Sequence, residues 1–551
     1  MFSKRWTWAS IIGLLAFLWV QVGPGIHTVL TEEELDVLTR AEAESAAMSL
    51  AAEHWGIARE DVGEVRLSHV SDNDAVAYLA REKLSKSYED AWDEVFPNDV
   101  YRADLRLAED RWLRLSLHML SGRLVGWTWY GGGGEGPSGG TGAVSVTEQR
   151  VTNKELLDYL KQWGYEPADW EPTGTATGNG DYVFQSRKAP IGEARLQLLV
   201  KPGESIAYRL QLPESFTAYL AGQEERASSL SMVGYLLPQI VLFVLAIAYA
   251  AQYRKITSLR RGWFLALVYF GLYACFTMNM IAGFRSRTSS FQPPSTDGTV
   301  EALLIVNAII LALTAVLTSL SAVAGDGLWK SMGYNLWPSW RESGFGAKVL
   351  RSMKQGYGLG LIILGAQSVI FLGLDGLLGS FTGSDASQST YNMTYPWLLP
   401  VLAWCAGISE ELIYRFFGIA LFRWWLISIA RTLTRREPNG RTKAILTFVA
   451  MLPPSLFWGF GHVGYPIYPV QSRVIELAII GVLIGWFLLR FGLMAVIFAH
   501  VTLDAILMSV QLIFDGLPYD PVSGLVSMAM PGLVGVAIWW LHGVFSRRRA
   551  N

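Results

Sequence analysis

Cysteine, histidine and net charge are all scarce in this chain. Only two cysteines occur, Cys275 and Cys405, both inside apolar stretches, which excludes a disulfide framework and leaves the redox compartment unmarked. The formal net charge of -2 lacks the basic excess that a nucleic-acid partner needs, so that class is excluded as well. Charged residues are 17% of the 551 against 51% hydrophobic ones, and the mean hydropathy of +0.28 excludes an ordinary soluble enzyme. What the chain has instead is a series of stretches longer than about 18 residues almost without charge, the mark of a polytopic α-helical membrane protein.

About ten spans are expected: residues 6–22, then near 231–252, 263–283, 300–323, 358–379, 396–421, 444–463, 474–489, 493–513 and 525–543. The first follows Lys4 and Arg5 and stops at Gly23-Pro24-Gly25 without an Ala-x-Ala cleavage site, so it reads as a membrane anchor rather than a removed signal peptide. Lys and Arg in short loops then set the orientation. With a cytoplasmic N-terminus, the inside loops carry Arg254, Lys255, Arg260 and Arg261, then Lys330, Arg341, Lys348, Arg351 and Lys354. The next inside loop holds Arg431, Arg435, Arg436, Arg441 and Lys443, and the tail holds Arg547, Arg548 and Arg549, whereas the outside loop 379–396 has neither Lys nor Arg. Arg285, Arg287 and Arg473 are the exceptions. This topology puts both termini in the cytoplasm and residues 27–225 outside it.

Residues 27–225 have soluble composition and contain a repeat. Glu53-His54-Trp55-Gly56-Ile57 ahead of Asp61 recurs 108 positions later as Lys161-Gln162-Trp163-Gly164-Tyr165 ahead of Asp169, each time closing a helical pattern, residues 41–52 and 154–162. Arg114-Leu115-Ser116-Leu117 leading to Gly122 reappears as Arg195-Leu196-Gln197-Leu198 leading to Gly203, with the alternation of a hairpin on both sides. The region therefore reads as an extracytoplasmic α+β domain of two repeated modules. The stretch from Gly131 to Gly142 between them reads as a flexible linker, since it lacks the Lys and the strand-helix context of a phosphate loop. The modules resemble the small helix-plus-sheet domains found outside bacterial membranes, some of them attached to peptidases. The plain role is a folded spacer or a surface for an extracytoplasmic protein partner, and a catalytic or inhibitory role is the alternative.

Six ionisable side chains stand inside the apolar C-terminal third: Glu410, Glu411, Arg415, His462, His500 and Asp504. Each costs about 2.5–3.5 kcal/mol at the centre of a span, so together they demand mutual pairing or a function. Glu411 and Arg415 are four apart, face each other on a helix and form an ion pair whose ordinary meaning is structural. Glu410 is rotated about 100° away, with Ile413 and Tyr414 where a local cation would stand. It must find a partner on another helix, bind a metal or stay protonated, and each option makes it a candidate general base. Only seven histidines occur in the chain. One on an apolar helix is ordinarily a satisfied core residue. His462 and His500, downstream of an unpaired Glu, fit a site in which imidazoles orient water, stabilise an oxyanion or ligate a metal. His500 and Asp504 share a helix face, so Asp504 either holds the His500 ring or joins it at the site. The pattern His-Glu-x-x-His is absent, so a metal site would be assembled from three separate helices.

These residues stand in three motifs: Glu410-Glu411-Leu412-Ile413-Tyr414-Arg415, Trp458-Gly459-Phe460-Gly461-His462 and His500-Val501-Thr502-Leu503-Asp504. In this order they resemble the CPBP family, the type II CAAX prenyl proteases and bacteriocin-processing enzymes also called Abi proteins. Those are intramembrane endopeptidases marked by Glu-Glu-x-x-x-Arg, Phe-x-x-x-His and His-x-x-x-Asn/Asp. Trp458 stands where the family has Phe, a change expected to keep the packing role. The resemblance covers residues 395–515. It implies that Glu410 with His462 activates the attacking water, that His500 with Asp504 stabilises the oxyanion, and that Glu411 and Arg415 shape the helix with Trp458 in support. A zinc ion held by Glu410, His462 and His500 is compatible with the donor types, and so is a metal-free glutamate mechanism. The implied substrate is a membrane-associated protein or peptide, with or without a prenyl group, reached among the membrane lipids.

The chain thus divides into an N-terminal anchor (6–22), the α+β domain (27–225), a transmembrane helical region (231–379), a protease-like core (395–515) and a last span with a basic cytoplasmic tail (525–551). Two other readings use the same residues. One is a proton-coupled transporter, for which the spans show no inverted repeat. The other is an inert scaffold whose motif residues only pack helices. One geometric conflict is left. Counted from the cytoplasmic ends of their spans at about 1.5 Å per residue, His462 lies about 27 Å deep and His500 about 10 Å. The expected remedy is a break at Pro453-Pro454.

Overall fold

The computed structural model describes residues 3–23, 37–131, 152–176, 181–287, 293–294 and 297–550. The linker reading of the glycine-rich stretch falls, after Gly131, outside the described residues, as does the stop after Gly23. Among the described residues ten helices are long and apolar enough to cross a membrane, which makes this a multi-pass membrane protein. The first, α1 (Lys4–Phe17), continues to Val22 as a π-helix.

Two copies of one plan follow. Helix α2 (Arg40–Trp55) starts at a capping box, in which the Thr39 and Glu42 side chains satisfy each other's backbone N–H groups, and ends at Gly56 with φ +64°. It leads to β1 (Glu64–Ser71), α3 (Asn73–Glu82), β2 (Asp99–Arg106), β3 (Trp112–His118) and β4 (Leu124–Tyr130). The second copy opens with α4 (Asn153–Gln162), capped in the same way by Thr152 and Glu155. It continues through β5 (Trp170–Ala176), β6 (Tyr182–Ser186), β7 (Arg195–Lys201) and β8 (Ser205–Gln211). The matched hairpins are β3–β4 and β7–β8, which turn at Gly122 (φ +67°) and Gly203 (φ +77°), a left-handed backbone that glycine adopts without steric cost.

All eight strands form one antiparallel sheet in the order β1-β2-β3-β4-β8-β7-β6-β5. The modules therefore join through their equivalent last strands, with Trp127 opposite Ile206 and Thr128 opposite Ser205. Behind this seam the equivalent tryptophans Trp55 and Trp163 pack 5.7 Å apart, each also against Trp127 at 5.2 and 5.0 Å.

The other nine spans follow among the described residues. Helix α5 (Glu214–Gln252) leaves the sheet domain and runs into the membrane as one 39-residue helix with a π-turn at Ser231–Leu236. Then come α6 (Leu259–Asn279), α7 (Asp297–Ser331), α8 (Phe345–Leu378), a short strand β9 (Phe381–Thr382), α9 (Val401–Glu410) and a π segment, Glu411–Gly418. That segment continues as α10 (Ile419–Thr434), followed by α11 (Gly440–Phe460), β10 (Ile467–Tyr468), α12 (Gln471–Phe491), α13 (Leu493–Phe514) and α14 (Asp520–Ala550). Small residues let these helices touch, as membrane packing requires in the absence of a hydrophobic drive between them. A Cβ on Gly13 of α1 would stand 2.3 Å from the Leu361 carbonyl oxygen of α8. The Ser10 hydroxyl donates to Gly358 O at 2.9 Å along the same seam.

The sheet domain is docked on the membrane part rather than tethered to it. The Asn392 side chain accepts from His69 N and donates to His69 O, both at 2.8 Å, and so extends the edge of β1. Arg40 bridges Leu67 O and Tyr391 O. Arg102 donates to Arg285 O at 2.8 Å. Arg285, an exception to the loop-charge pattern, faces Glu64 of the sheet domain at 3.8 Å, so its place follows from docking rather than from topology.

Candidate active site

Glu410 is the last residue of α9, and the π segment begins at Glu411. Such wide turns are uncommon and recur at functional sites. The two successive carboxylates at this junction point in different directions. The Glu410 side chain keeps 20% of its surface and faces a cavity, whereas Glu411 is fully buried. Arg415 follows in the π segment, 3.6 Å from Glu411 and itself 1% exposed, so the ion pair read from the i,i+4 spacing is present. Its guanidinium also lies 3.7 Å over the Trp458 ring.

Helix α11 supplies the middle motif. The Trp458 indole N–H donates to Glu410 Oε2. The packing role expected for this Trp is therefore incomplete, since it holds the carboxylate by a hydrogen bond that Phe has no atom to make. His462 lies just past the end of the helix, with Nδ1 2.8 Å from Trp458 O. A carbonyl only accepts, so Nδ1 carries the proton and Nε2 of the neutral ring is left as an acceptor, facing Glu410 Oε1 at 3.8 Å. Tyr465 stacks on the imidazole at 5.8 Å.

Helix α13 brings His500 to the same carboxylate. Its Nδ1 is 2.7 Å from Glu411 Oε1, and its Nε2 faces Asp504 Oδ2 at 3.4 Å and Glu410 Oε2 at 3.8 Å. A proton on Nε2 thus has two carboxylate acceptors. Glu411, read from sequence as a structural partner of Arg415, also sets the orientation of His500. Glu410, His462, His500 and Asp504 all line one cavity of about 520 Å³, together with Tyr235, Tyr273 and Arg473.

Helix α11 passes through Pro453 and Pro454 unbroken, so the break expected there is absent. His462 and His500 nevertheless meet at Glu410. The two histidines stand within 3.8 Å of one carboxylate, so the depths counted from the ends of their spans are not theirs.

The donor atoms do not converge as metal ligands. Among the described residues no three His, Cys, Asp or Glu side chains form a group able to hold a metal ion. His462 and His500 address opposite oxygens of Glu410, each 3.8 Å away, and Oε2 is already engaged by Trp458. The spacing suits a bridging water, which at about 2.8 Å from each atom spans such a gap.

No curated protein and no solved structure matches the chain significantly. Residues 392–506, the segment that carries all three motifs, match a family model described as type II CAAX prenyl endopeptidase Rce1-like, the family that those motifs resemble.

Proposed function

We propose that this protein is an intramembrane endopeptidase in which Glu410 and His462 activate water for attack on a peptide carbonyl. The observation that carries the reading is the single carboxylate faced by two imidazoles at 3.8 Å each in a cavity of about 520 Å³. Water held between Glu410 and His462 gives its proton to the carboxylate as its oxygen adds to the carbonyl carbon. The tetrahedral oxyanion is stabilised by the proton on His500 Nε2, whose ring is held by Glu411 and Asp504. The proton on Glu410 then passes to the leaving amine as the C–N bond breaks. The family match supports hydrolysis of membrane-associated proteins or peptides, prenylated or not. The loop charges support cytoplasmic termini with the sheet domain on the other side.

Glu410→Ala, purified in lipid nanodiscs, is expected to lose turnover by about 10²–10⁴-fold, the usual worth of a positioned general base, without loss of folded protein. Retained turnover overturns the proposal. Substrates trapped on this variant in native membranes and identified by mass spectrometry define the peptide class. Wild-type turnover that survives phenanthroline supports chemistry by the side chains alone, and loss reversed by added zinc overturns it.

A further inference from the structure

Of the three exceptions to the loop-charge pattern, docking accounts for Arg285 alone, and Arg473 stands in the wall of the cavity. It lies near the start of α12, and 15% of its side chain is exposed. Its NH1 donates to both oxygens of Glu476, at 2.9 and 2.8 Å, and Glu476 is fully buried. Gln367 of α8 donates to the same carboxylate at 2.8 Å. A buried ion pair would account for Arg473 if all its donors were used. They are not: among the described residues only NH1 has hydrogen-bond partners, and Nε is buried without one. The unused edge, Nε with NH2, is the fork that takes a carboxylate through two parallel hydrogen bonds.

The position of that edge matters as much as its chemistry. Arg473, Gln367, Glu410 and His462 all line the same cavity. The guanidinium lies 5.4 Å from the Tyr465 ring, which stacks on His462 at 5.8 Å, so one aromatic ring separates it from the imidazole. Gln367 Oε1, on the same wall, is buried with no partner. Two donors for a carboxylate and one acceptor for an N–H are thus left unsatisfied on one side of the site. Buried polar groups are costly in that state, and a ligand offering the complementary atoms removes the cost.

We infer that Arg473 is a specificity-determining subsite that binds a carboxylate of the peptide substrate, with Gln367 Oε1 accepting a backbone N–H beside it. The inference rests on the cavity being the peptide site. The carboxylate belongs either to the peptide's C-terminus or to an Asp or Glu side chain, and the test separates these. The protein carrying Glu410→Gln in nanodiscs is titrated with three pools of dansylated random hexapeptides: free-acid ends without Asp or Glu, amidated ends without Asp or Glu, and amidated ends with one fixed Glu. The free-acid pool or the Glu pool is expected to bind at least about tenfold more tightly than the neutral amide pool, the scale of a charge-assisted pair. Arg473→Gln alone would strand the Glu476 charge, so it is combined with the isosteric Glu476→Gln, which removes both charges.

The preference is expected to vanish in that variant at an unchanged melting temperature. Equal binding of all three pools before the substitution, or a preference that outlasts it, overturns the inference. If the paired substitution melts the protein, Arg473→Lys decides: it keeps the charge but not the fork, and an undiminished preference then counts against the subsite. Turnover retained by Glu410→Ala removes the peptidase reading, whereas the preference is read by binding alone and stands or falls separately.

Discussion

At Trp458 the chain departs from the phenylalanine of the motif it resembles, and the departure adds a hydrogen-bond donor to the proposed base. Trp458→Phe keeps an aromatic face under Arg415 but removes the N–H that holds Glu410 Oε2, together with part of the buried ring. A hydrogen bond to a charged group contributes about 1.5–3 kcal/mol, so kcat per folded molecule is expected to fall by about tenfold or more with KM little changed, while the smaller ring lowers the melting temperature modestly. Unchanged kcat would reduce Trp458 to packing. Glu411 makes the opposite kind of residue. Removing it strands Arg415, which is 1% exposed, and breaking a buried pair costs about 3–5 kcal/mol. Glu411→Ala is therefore expected to lower the melting temperature far more than Glu410→Ala, and equal losses would favour the inert-scaffold reading. The Glu411–Arg415 pair was legible in the sequence because i,i+4 spacing reports neighbours on one helix. The contact from Glu411 to His500 was not, because the two residues are 89 apart and meet only through tertiary packing.

Among elements, the spans and the tandem modules were legible because hydropathy and repeated turn glycines are local signals. The π segment and the continuity of α11 were not. Pro453 and Pro454 read as a break from local stereochemistry, yet within a bundle a neighbouring helix restores the packing. Gly418 does so here: a Cβ added to it would stand 2.9 Å from Pro454 Cβ. The placement of His500 depends on a similar contact between α8 and α13. A Cβ on Gly356 would meet Phe498 Cβ at 2.4 Å, two residues before His500. Gly356→Val is expected to push α13 outward, and a displacement of about 1 Å at a reacting group can cost about 10²-fold in rate. Turnover measured per folded molecule, with Gly356→Ala as the milder step, tests this; a fully active valine variant would show that α13 is placed by other contacts.

On the scale of the whole molecule, the sheet domain and the proposed site share a boundary. Ser387 and Gln388 line the cavity, and Asn392 ties their loop through Ala386 O to the edge of β1. At the same boundary the Tyr391 hydroxyl donates to the backbone carbonyl of Asp515, between α13 and α14, at 2.6 Å. Burial, and then the nearby charge of Asp520, push the Asp515 carboxyl up from the ordinary 3.8 to about 7. Arg40, which binds Tyr391 O at this boundary, is engaged with two carbonyl groups. With its folded value above its unfolded one, Asp515 keeps a proton in the native protein that the unfolded chain has lost. Its stabilising contribution is complete below the unfolded value and disappears as pH rises through about 7. Asp515→Asn keeps an oxygen for Leu517 N, which donates to Oδ1 at 3.0 Å, and removes the titration. The variant is therefore expected to melt above the wild type at pH 8, and to lose less stability between pH 5 and pH 8. Thermal melts in detergent across that range decide it: parallel curves for the two proteins would mean that Asp515 ionises in the native state as it does in the unfolded chain, and that the docked boundary is indifferent to its charge.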